Sequence, residues 1–437
     1  MESGRWKAPA ATGPVRARMR LPGSKSISNR ALVLAALSSS PSAIHGVLKA
    51  RDTSLATAAL HAMGCFISES GTDLTVSPGF PSRGATVSVD VGNAGTVMRF
   101  LPAVAALSGA SVAFDGDPRA RERPVGVLLS ALRTLGVSID DGGRGSLPFT
   151  VHGSGAVRGG PVVLDASGSS QLVSGLLLAA PRFADGVEVR HEGPPVPSLP
   201  HIEMTLRMLE MAGAATEADK SDKSANRPNI WRVRPGQLNL GDFTIEPDLS
   251  NAGPFLAAAL VTGGSVTVAD WPTDSLQAAD AILDVLTRMG ASCSLGPDGL
   301  TVTGSGVVNG IEADLRDIPE LCLPLTSVAA LASGPSVFTG VGHTRAQETD
   351  RLAAIAKEIN ALGGDISERP DGLTITPRPL RAGPGHAFAS YEDHRMVMAA
   401  AVLGLAVPGI EVVNAATVGK TFPDFTARWG ELVESGS

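Results

Sequence analysis

The feature that most constrains this 437-residue chain is a repeat. Strand-like runs centred near Ile44, Val112, Val189, Val266, Val337 and Val412 are separated by 68, 77, 77, 71 and 75 residues. A second pattern, an amphipathic helix closed by a turn glycine, ends at Gly64, Gly136, Gly213, Gly290 and Gly363, with spacings of 72, 77, 77 and 73. Two patterns of different secondary structure share one period, the mark of a chain assembled from copies of one unit. Each unit reads as apolar helix, strand, amphipathic helix and strand pair. The strand pairs show at Cys65 to Val76, Ala291 to Thr303 and Asp365 to Thr376. The last two share Pro-Asp-Gly-Leu-Thr (297–301 and 370–374), a hairpin signal. A single core stops growing near ~250–300 residues, so six units imply two α/β domains of three.

The apolar helices Phe100 to Leu107, Leu172 to Ala180, Phe255 to Val261, Leu323 to Leu331 and Met396 to Val407 have no polar face. A helix apolar all round is enclosed. None reaches the ~18–20 apolar residues of a membrane span, so protein encloses them. If three bundle in each domain, their starts emerge on one face. The polar residues concentrate there: Gly23 to Arg30, Gly92 to Arg99, Ala166 to Gln171, Asp248 to Asn251, Arg316 to Glu320 and Glu392 to Arg395. Backbone N–H groups at a helix start favour negative charge, and Lys25 and Arg30 add full positive charges beside the first. The plainer reading of that segment is a Ser-capped helix with solvated cations; its recurrence along the chain argues for an anion site instead.

The net charge is −7, from 36 Lys and Arg against 43 Asp and Glu. An acidic chain with few aromatics is a poor nucleic-acid binder, so positive charge is local and suited to a small anion. Cys65, Cys293 and Cys322 fit no metal spacing and read as buried thiols of a reducing compartment. The N-terminus lacks a secretory pattern, which points to the cytosol. Thr216 to Asn229 has no apolar periodicity and reads as a mobile loop with solvated charges. If the first strand, Val15 to Leu21, belongs to the last repeat's sheet, the chain crosses between domains twice, near Pro22-Gly23 and Glu246-Pro247. The expected domains are therefore 24–246, and 1–23 with 247–437.

Six motifs, in order, resemble those of the 5-enolpyruvylshikimate-3-phosphate synthase family. They are Pro22-Gly23-Ser24-Lys25-Ser26-x-Ser28-Asn29-Arg30, Gly92-Asn93-Ala94-Gly95-Thr96, Ser169-Ser170-Gln171, Glu348-Thr349-Asp350-Arg351, Asp393-His394-Arg395-Met396 and Lys420-Thr421-Phe422-Pro423-Asp424. The resemblance covers about residues 15 to 427. It implies a two-domain inverse α/β barrel of six repeated units, three per domain, with the buried helices' N-termini facing an interdomain cleft that holds the active site. It implies enolpyruvyl transfer from phosphoenolpyruvate to the 5-hydroxyl of shikimate 3-phosphate, with release of phosphate, in aromatic amino-acid biosynthesis. It implies no metal, no organic cofactor, no nucleic-acid or membrane partner, a cytoplasmic monomer, and sensitivity to glyphosate. The related transferase acting on UDP-N-acetylglucosamine has Lys-Asn where this chain has Lys25-Ser26, and many members carry a Cys in a loop of the first domain. Here that region, Asp117 to Pro124, has no Cys, and Arg123-Pro124 matches the shikimate branch.

The resemblance also assigns residues. Lys25, Gly95, Arg123, Gln171, Arg351, Arg395 and Lys420 surround phosphoenolpyruvate. Lys25, Ser26, Arg30, Ser169, Ser170, Gln171, Ser198, Glu320, His343 and Gln347 hold shikimate 3-phosphate. Lys25, Glu320, Glu348 and His394 are the catalytic candidates. Each has a plainer alternative: Gly95 a simple turn, Ser169 and Ser170 helix caps, Glu348 an i,i+3 partner of Arg351. Arg is suited to bidentate grip of phosphate and carboxylate, and carboxylates among cations can move protons. Glu320 stands where the family often has Asp, Gln347 where many members have Lys, and His343 where Asn is frequent. A protein that only binds anions is the alternative to an enzyme; against it stand Glu320 and Glu348, which a pure anion receptor would not place among phosphates.

Overall fold

The computed structural model describes residues 4–221 and 227–436. The chain divides into two compact units. One, the inserted unit, runs from Gly23 to Ile245; the other, the flanking unit, joins the chain up to Pro22 to that from Glu246 onward.

Three enclosed helices form the centre of each unit. In the inserted unit they are Lys25–Leu37, Gly95–Ala106 and Gln171–Ala179. In the flanking unit they are Leu249–Thr262, Cys322–Ala330 and His394–Gly404. Every residue of Gly95–Ala106 is buried, as its lack of a polar face requires. The helices touch closely because glycine is placed where they cross. A β-carbon on Gly175 would lie 2.2 Å from the carbonyl oxygen of Arg99, and one on Gly253 would lie 2.3 Å from Leu321 Cδ2.

Sheets surround the helices. In the second repeat the order is Thr86–Asp90, Ser111–Asp115, Phe149–His152, Ser138–Asp140. The first two strands are parallel, lying on either side of a buried helix in sequence, and the other pairs are antiparallel. A strand that leads into a buried helix and the strand that follows it thus become neighbours, as a crossover connection demands. Among the described residues, five sheets have four strands and one has three. No helix among the described residues is long and apolar enough to cross a membrane.

Three sequence expectations need correction. The strand Arg16–Met19 lies parallel to Ser265–Val268 in the fourth repeat's sheet, not in the last. The last repeat's sheet instead receives Trp6–Lys7, antiparallel to Glu411–Val413. The two crossings are reciprocal. Arg16–Met19 leads into a helix of the inserted unit yet completes a sheet of the flanking unit. Asp242–Thr244 leads into a helix of the flanking unit yet pairs with Ser42–His45 in the inserted one. Thr216–Asp219 is an edge strand rather than a loop, paired antiparallel with Ile230–Val233. It has no apolar alternation because it lies at the sheet's edge, largely exposed. Its acids Glu217 and Asp219 face Arg232, which also binds Glu188 at 2.6 Å. The central part of the expected loop, 222–226, lies outside the described residues. Both Pro-Asp-Gly hairpins form where the sequence signals them; the loop is Pro-Asp, and glycine is the first paired residue. Gly372 is needed for close approach: its β-carbon would fall 1.8 Å from the Phe338 carbonyl oxygen. Finally, Cys65 and Cys322 are buried but Cys293 is only half-buried, on a strand whose outer residues face solvent.

The glycine crossings predict a contrast. Gly175→Ala presses a methyl on backbone that cannot yield, whereas Gly253→Ala meets the end of a leucine side chain. Gly175→Ala should lower unfolding free energy by about 2–3 kcal/mol and Gly253→Ala by roughly 1 kcal/mol or less. Urea unfolding of the two variants checks the order; equal losses would mean that the Gln171–Ala179 helix can shift.

Candidate functional site

In the inserted unit the three buried helices begin side by side, bonded at their first turns. Asn29 Nδ2 donates to Thr96 Oγ1 at 2.7 Å, Arg99 Nη1 to Gln171 Oε1 at 3.0 Å, and Arg30 Nη2 to Ser174 Oγ at 3.2 Å. Helix starts carry partial positive charge, so their convergence concentrates it. Lys25 stands at the first of these starts with Nζ 3.1 Å from Asp52 Oδ2. Asp52 is 2% exposed, and its Oδ1 has no hydrogen-bond partner. Arg123 Nη1 donates to both the carbonyl and side-chain oxygens of Asn93, each at 2.9 Å. Its Nε is buried and unpartnered, as is Asn29 Oδ1. Such atoms are rare in folded proteins, and three gather in this one cluster.

Gly95 opens its helix at the middle of this group. Its φ is ordinary, so conformation does not demand glycine; space does. A β-carbon would lie 2.7 Å from Arg123 Nη2, 2.8 Å from Arg99 Nη1 and 3.1 Å from Gln171 Oε1. Ser169 Oγ accepts from Gln171 N at 3.2 Å, so the capping hydroxyl is that of Ser169, while Ser170, the residue at the cap, makes no such bond. Ser198 sits at the start of Leu199–Met211 with φ 52°, a strained conformation of the kind that concentrates at functional sites. Ser26 supplies its carbonyl to Arg30 Nη1 at 3.0 Å. Arg30 is fully enclosed and also donates from Nε to Thr205 at 2.7 Å and from Nη2 to the His201 carbonyl at 3.0 Å. Burial pulls its pKa down to about 9, which leaves it charged at neutral pH. Most of its donors therefore tie the helices together.

The flanking unit holds a second cluster, centred on Arg351. This residue begins the helix Arg351–Ala361, which is capped by Asp350. Its Nε donates to Asp393 Oδ2 at 2.7 Å, its Nη2 to Asp393 Oδ1 at 3.3 Å and to Glu348 Oε2 at 3.0 Å, and its Nη1 to Gln347 Oε1. Burial alone would lower its pKa, but Asp393 and Glu348 raise it above the ordinary arginine value. Glu348 is bound on its other oxygen by Lys420 Nζ at 2.6 Å. A carboxylate thus lies between two cations, with all three side chains under a tenth exposed.

Arg395 lies in the first turn of His394–Gly404 and reaches Ser250, donating to its carbonyl at 2.9 Å and its hydroxyl at 3.0 Å. Its pKa is lowered, by burial first. Glu320 enters the Cys322–Ala330 helix from a short turn, and its charge acts on His343, Arg351 and Arg395. His343 is pushed down to about 4, chiefly by burial, so it is neutral at pH 7, with Nε2 buried and unpartnered. His394 is 2% exposed, its Nδ1 3.6 Å from Asp393 Oδ1.

Lys25, Ser26, Arg30, Gly95, Arg123, Ser169, Ser170, Gln171 and Ser198 thus belong to the inserted unit. Glu320, His343, Gln347, Glu348, Arg351, His394, Arg395 and Lys420 belong to the flanking unit. Sequence reasoning missed the groups that hold these cations: Asp52 for Lys25, Asn93 for Arg123, Asp393 for Arg351 and Ser250 for Arg395. Asp393 and Asn93 stood inside quoted motifs without a role. Asp52 lies in the first turn of Arg51–Ala62, where an acid is expected for the helix alone.

A family model described as EPSP synthase (3-phosphoshikimate 1-carboxyvinyltransferase) matches residues 9–429. A curated 3-phosphoshikimate 1-carboxyvinyltransferase from Kocuria rhizophila is 48% identical, over 98% of this chain and 97% of its own length. Two solved structures of EPSP synthase from Acinetobacter baumannii share the fold with a TM-score of 0.78, at 23% and 22% identity, over 98% of this chain and of theirs.

The geometry around Gly95 predicts that alanine is tolerated there. The methyl meets the ends of flexible side chains, so Gly95→Ala should cost about 1 kcal/mol or less in unfolding free energy while displacing Arg123 and Gln171. Denaturant unfolding measures the first effect and a crystal structure of the variant the second. An unmoved Arg123 would contradict the contact.

Proposed function

The chain belongs to the EPSP synthase family, and from that premise we propose how its residues divide the work. The enzyme transfers the enolpyruvyl group of phosphoenolpyruvate to the 5-hydroxyl of shikimate 3-phosphate and releases phosphate, a step of the shikimate pathway to aromatic amino acids. In our reading Lys25, Gly95, Arg123, Gln171, Arg351, Arg395 and Lys420 bind phosphoenolpyruvate. Shikimate 3-phosphate is held by Lys25, Ser26, Arg30, Ser169, Ser170, Gln171, Ser198, Glu320, His343 and Gln347. The enzyme works as a cytoplasmic monomer, without metal or organic cofactor.

One observation carries the chemistry: Glu348 with a cation on each oxygen, Lys420 at 2.6 Å and Arg351 at 3.0 Å. A residue serving only as a helix ion pair needs one partner; this carboxylate has two, both assigned to the donor. The transfer needs paired proton movements. The 5-hydroxyl loses its proton as its oxygen bonds to C2 of phosphoenolpyruvate, and C3 gains one to become a methyl. The methyl then returns a proton as the C2–O bond to phosphate breaks and the double bond re-forms. A group that gives the proton to C3 can take it back, so one residue can serve both steps. Glu348 is assigned that role, assisted by Lys25 with Glu320 and His394 near the acceptor hydroxyl. His343, neutral at pH 7, offers a hydrogen bond rather than a charge to the acceptor. Release of phosphate from phosphoenolpyruvate, dependent on shikimate 3-phosphate, tests the reaction directly.

Two variants separate binding from chemistry. Glu348→Gln keeps the size and the acceptor oxygen but not the acid–base function, and should reduce kcat by about 10²–10⁴-fold, with the KM for shikimate 3-phosphate changed by less than about threefold. Lys25→Met should damage both, because Lys25 is assigned to both substrates. Near-normal turnover by Glu348→Gln would reduce Glu348 to a structural partner of Arg351 and Lys420.

Gly95→Ala gives a further expectation. The methyl displaces the guanidinium end of Arg123 and narrows the donor's place, and glyphosate is longer than phosphoenolpyruvate. Overpacking depends on fit, so the variant should weaken glyphosate inhibition by more than about tenfold and raise the KM for phosphoenolpyruvate less. Steady-state inhibition of both proteins decides it; equal inhibition constants would place Gly95 away from the donor.

A further inference from the structure

The motif Asp393-His394-Arg395 is delivered by a turn that its own residues do not favour. Asp393 N donates to the Ser390 carbonyl at 2.9 Å, closing a four-residue turn. Its two central residues, Tyr391 and Glu392, have φ of 52° and 55°. Glycine, Asn or Asp normally fills such positions, because a larger side chain crowds the backbone there. Two successive strained residues persist only when their surroundings fix them.

Those surroundings are specific. The Tyr391 hydroxyl donates to Glu358 Oε1 at 2.6 Å, and the other oxygen of Glu358 accepts from Ala389 N at 3.1 Å. Glu358 is 5% exposed, and both contacts are part-buried. Lys357 Nζ stands 5.7 Å from the centre of the Tyr391 ring, and Ser390 Oγ donates to the Asn414 carbonyl at 3.3 Å. Glu358 belongs to the same helix as Arg351, seven residues on, which is two turns along the same face. That helix therefore grips both ends of the turn. Glu358 holds Ala389 and Tyr391 before it, and Arg351 holds Asp393 after it. Asp393 in turn accepts from Arg395 N at 2.8 Å, fixing the start of the next buried helix.

We propose that Glu358 and Tyr391 are positioning residues for the donor-binding arginines: they hold the strained turn that aims Asp393 at Arg351 and sets the first turn carrying Arg395. The inference rests on the assignment of Arg351 and Arg395 to phosphoenolpyruvate. If the strut is cut, the turn relaxes toward negative φ, Asp393 shifts, and the Arg351 guanidinium loses the carboxylate that fixes two of its nitrogens.

The test is a kinetic series on the full chain: Tyr391→Phe, Glu358→Gln, the two combined, and Tyr391→Phe with Glu392→Gly. Each single variant should raise the KM for phosphoenolpyruvate about tenfold, with kcat within about threefold and the KM for shikimate 3-phosphate unchanged. The combined variant should lose less than the sum of the two single losses, since both singles disturb the Tyr391–Glu358 contact. Adding Glu392→Gly should recover much of the loss, because glycine takes the left-handed conformation without strain. A merely structural role would lower thermal stability and leave the donor KM in place, and that result overturns the proposal. So does an equal rise in both KM values. Arg351→Lys, measured alongside, separates the premise. A normal donor KM in that variant overturns the assignment of Arg351, whereas a raised one beside unaffected strut variants overturns the strut alone. Should Glu358→Gln fail to fold, Tyr391→Phe, which removes a single oxygen, carries the decision.

Discussion

Three helices without a polar face must be enclosed, and enclosing them decides where everything else goes. Each helix begins with backbone N–H groups that no turn of its own can satisfy. In the inserted unit the three starts meet closely enough for Asn29 to reach Thr96, Arg99 to reach Gln171 and Arg30 to reach Ser174. In these three helices polar side chains are confined to that end. A surface rich in donors and positive charge is in this sense what remains after the hydrophobic demand is met. The flanking unit also gathers polar groups at helix starts: Asp248 caps the first, Asp393 caps the third, and Arg395 in that third start reaches back to Ser250 beside the first. Its middle helix differs, carrying Thr326 and Ser327 buried in its body, bonded to the carbonyls of Cys322 and Ala399.

Arginines at such a surface must keep their charge and their aim while buried. The protein does this with a fixed acceptor for each. Arg123 is held by two oxygens of Asn93, Arg351 by Asp393, and Arg395 by Ser250. For the buried ion pair of Arg351 and Asp393, removing one partner costs about 3–5 kcal/mol, so that acceptor is as constrained as the cation. A planar guanidinium held along one edge presents its remaining donors in a set direction, which is what two-pronged recognition of phosphate or carboxylate needs.

The repeat was legible in sequence because it is written twice, once in helices of period 3.6 and once in strands of period 2. The six buried helices follow from composition alone. The site's cations were legible through motifs, but their holders were not. Asp52 is 27 residues from Lys25, Asn93 is 30 from Arg123, and Ser250 is 145 from Arg395. Nothing in local pattern links residues so far apart; only the fold brings them together. The same limit explains the strand Arg16–Met19. Its alternation identifies a strand, but a parallel partner is fixed by topology, and Ser265–Val268 lies far along the chain. Thr216–Asp219 escaped for a different reason: an exposed edge strand has no buried face to write a period.

The sixth repeat departs from the others, and the departure supplies a cation. The first five close with a hairpin; the sixth has only the pair Ala387–Ala389 and Glu411–Val413, extended by Trp6–Lys7 from the chain's beginning. Where a hairpin would follow, the chain instead makes the turn Ala415–Lys420 and the helix Phe425–Glu434. Phe422, Phe425 and Trp429 pack around Phe255, with ring centres 5.4–5.9 Å from it. Asn251 Nδ2 also donates to the Thr421 carbonyl at 3.3 Å. Lys420 is thus clamped immediately before an aromatic cluster and one residue from a bonded carbonyl. That clamp allows a long, flexible side chain to stand 2.6 Å from Glu348 with 8% of it exposed. A lysine on a hairpin edge would pay more rotamer entropy for the same contact. Apolar packing on the fourth buried helix therefore positions the lysine that binds Glu348.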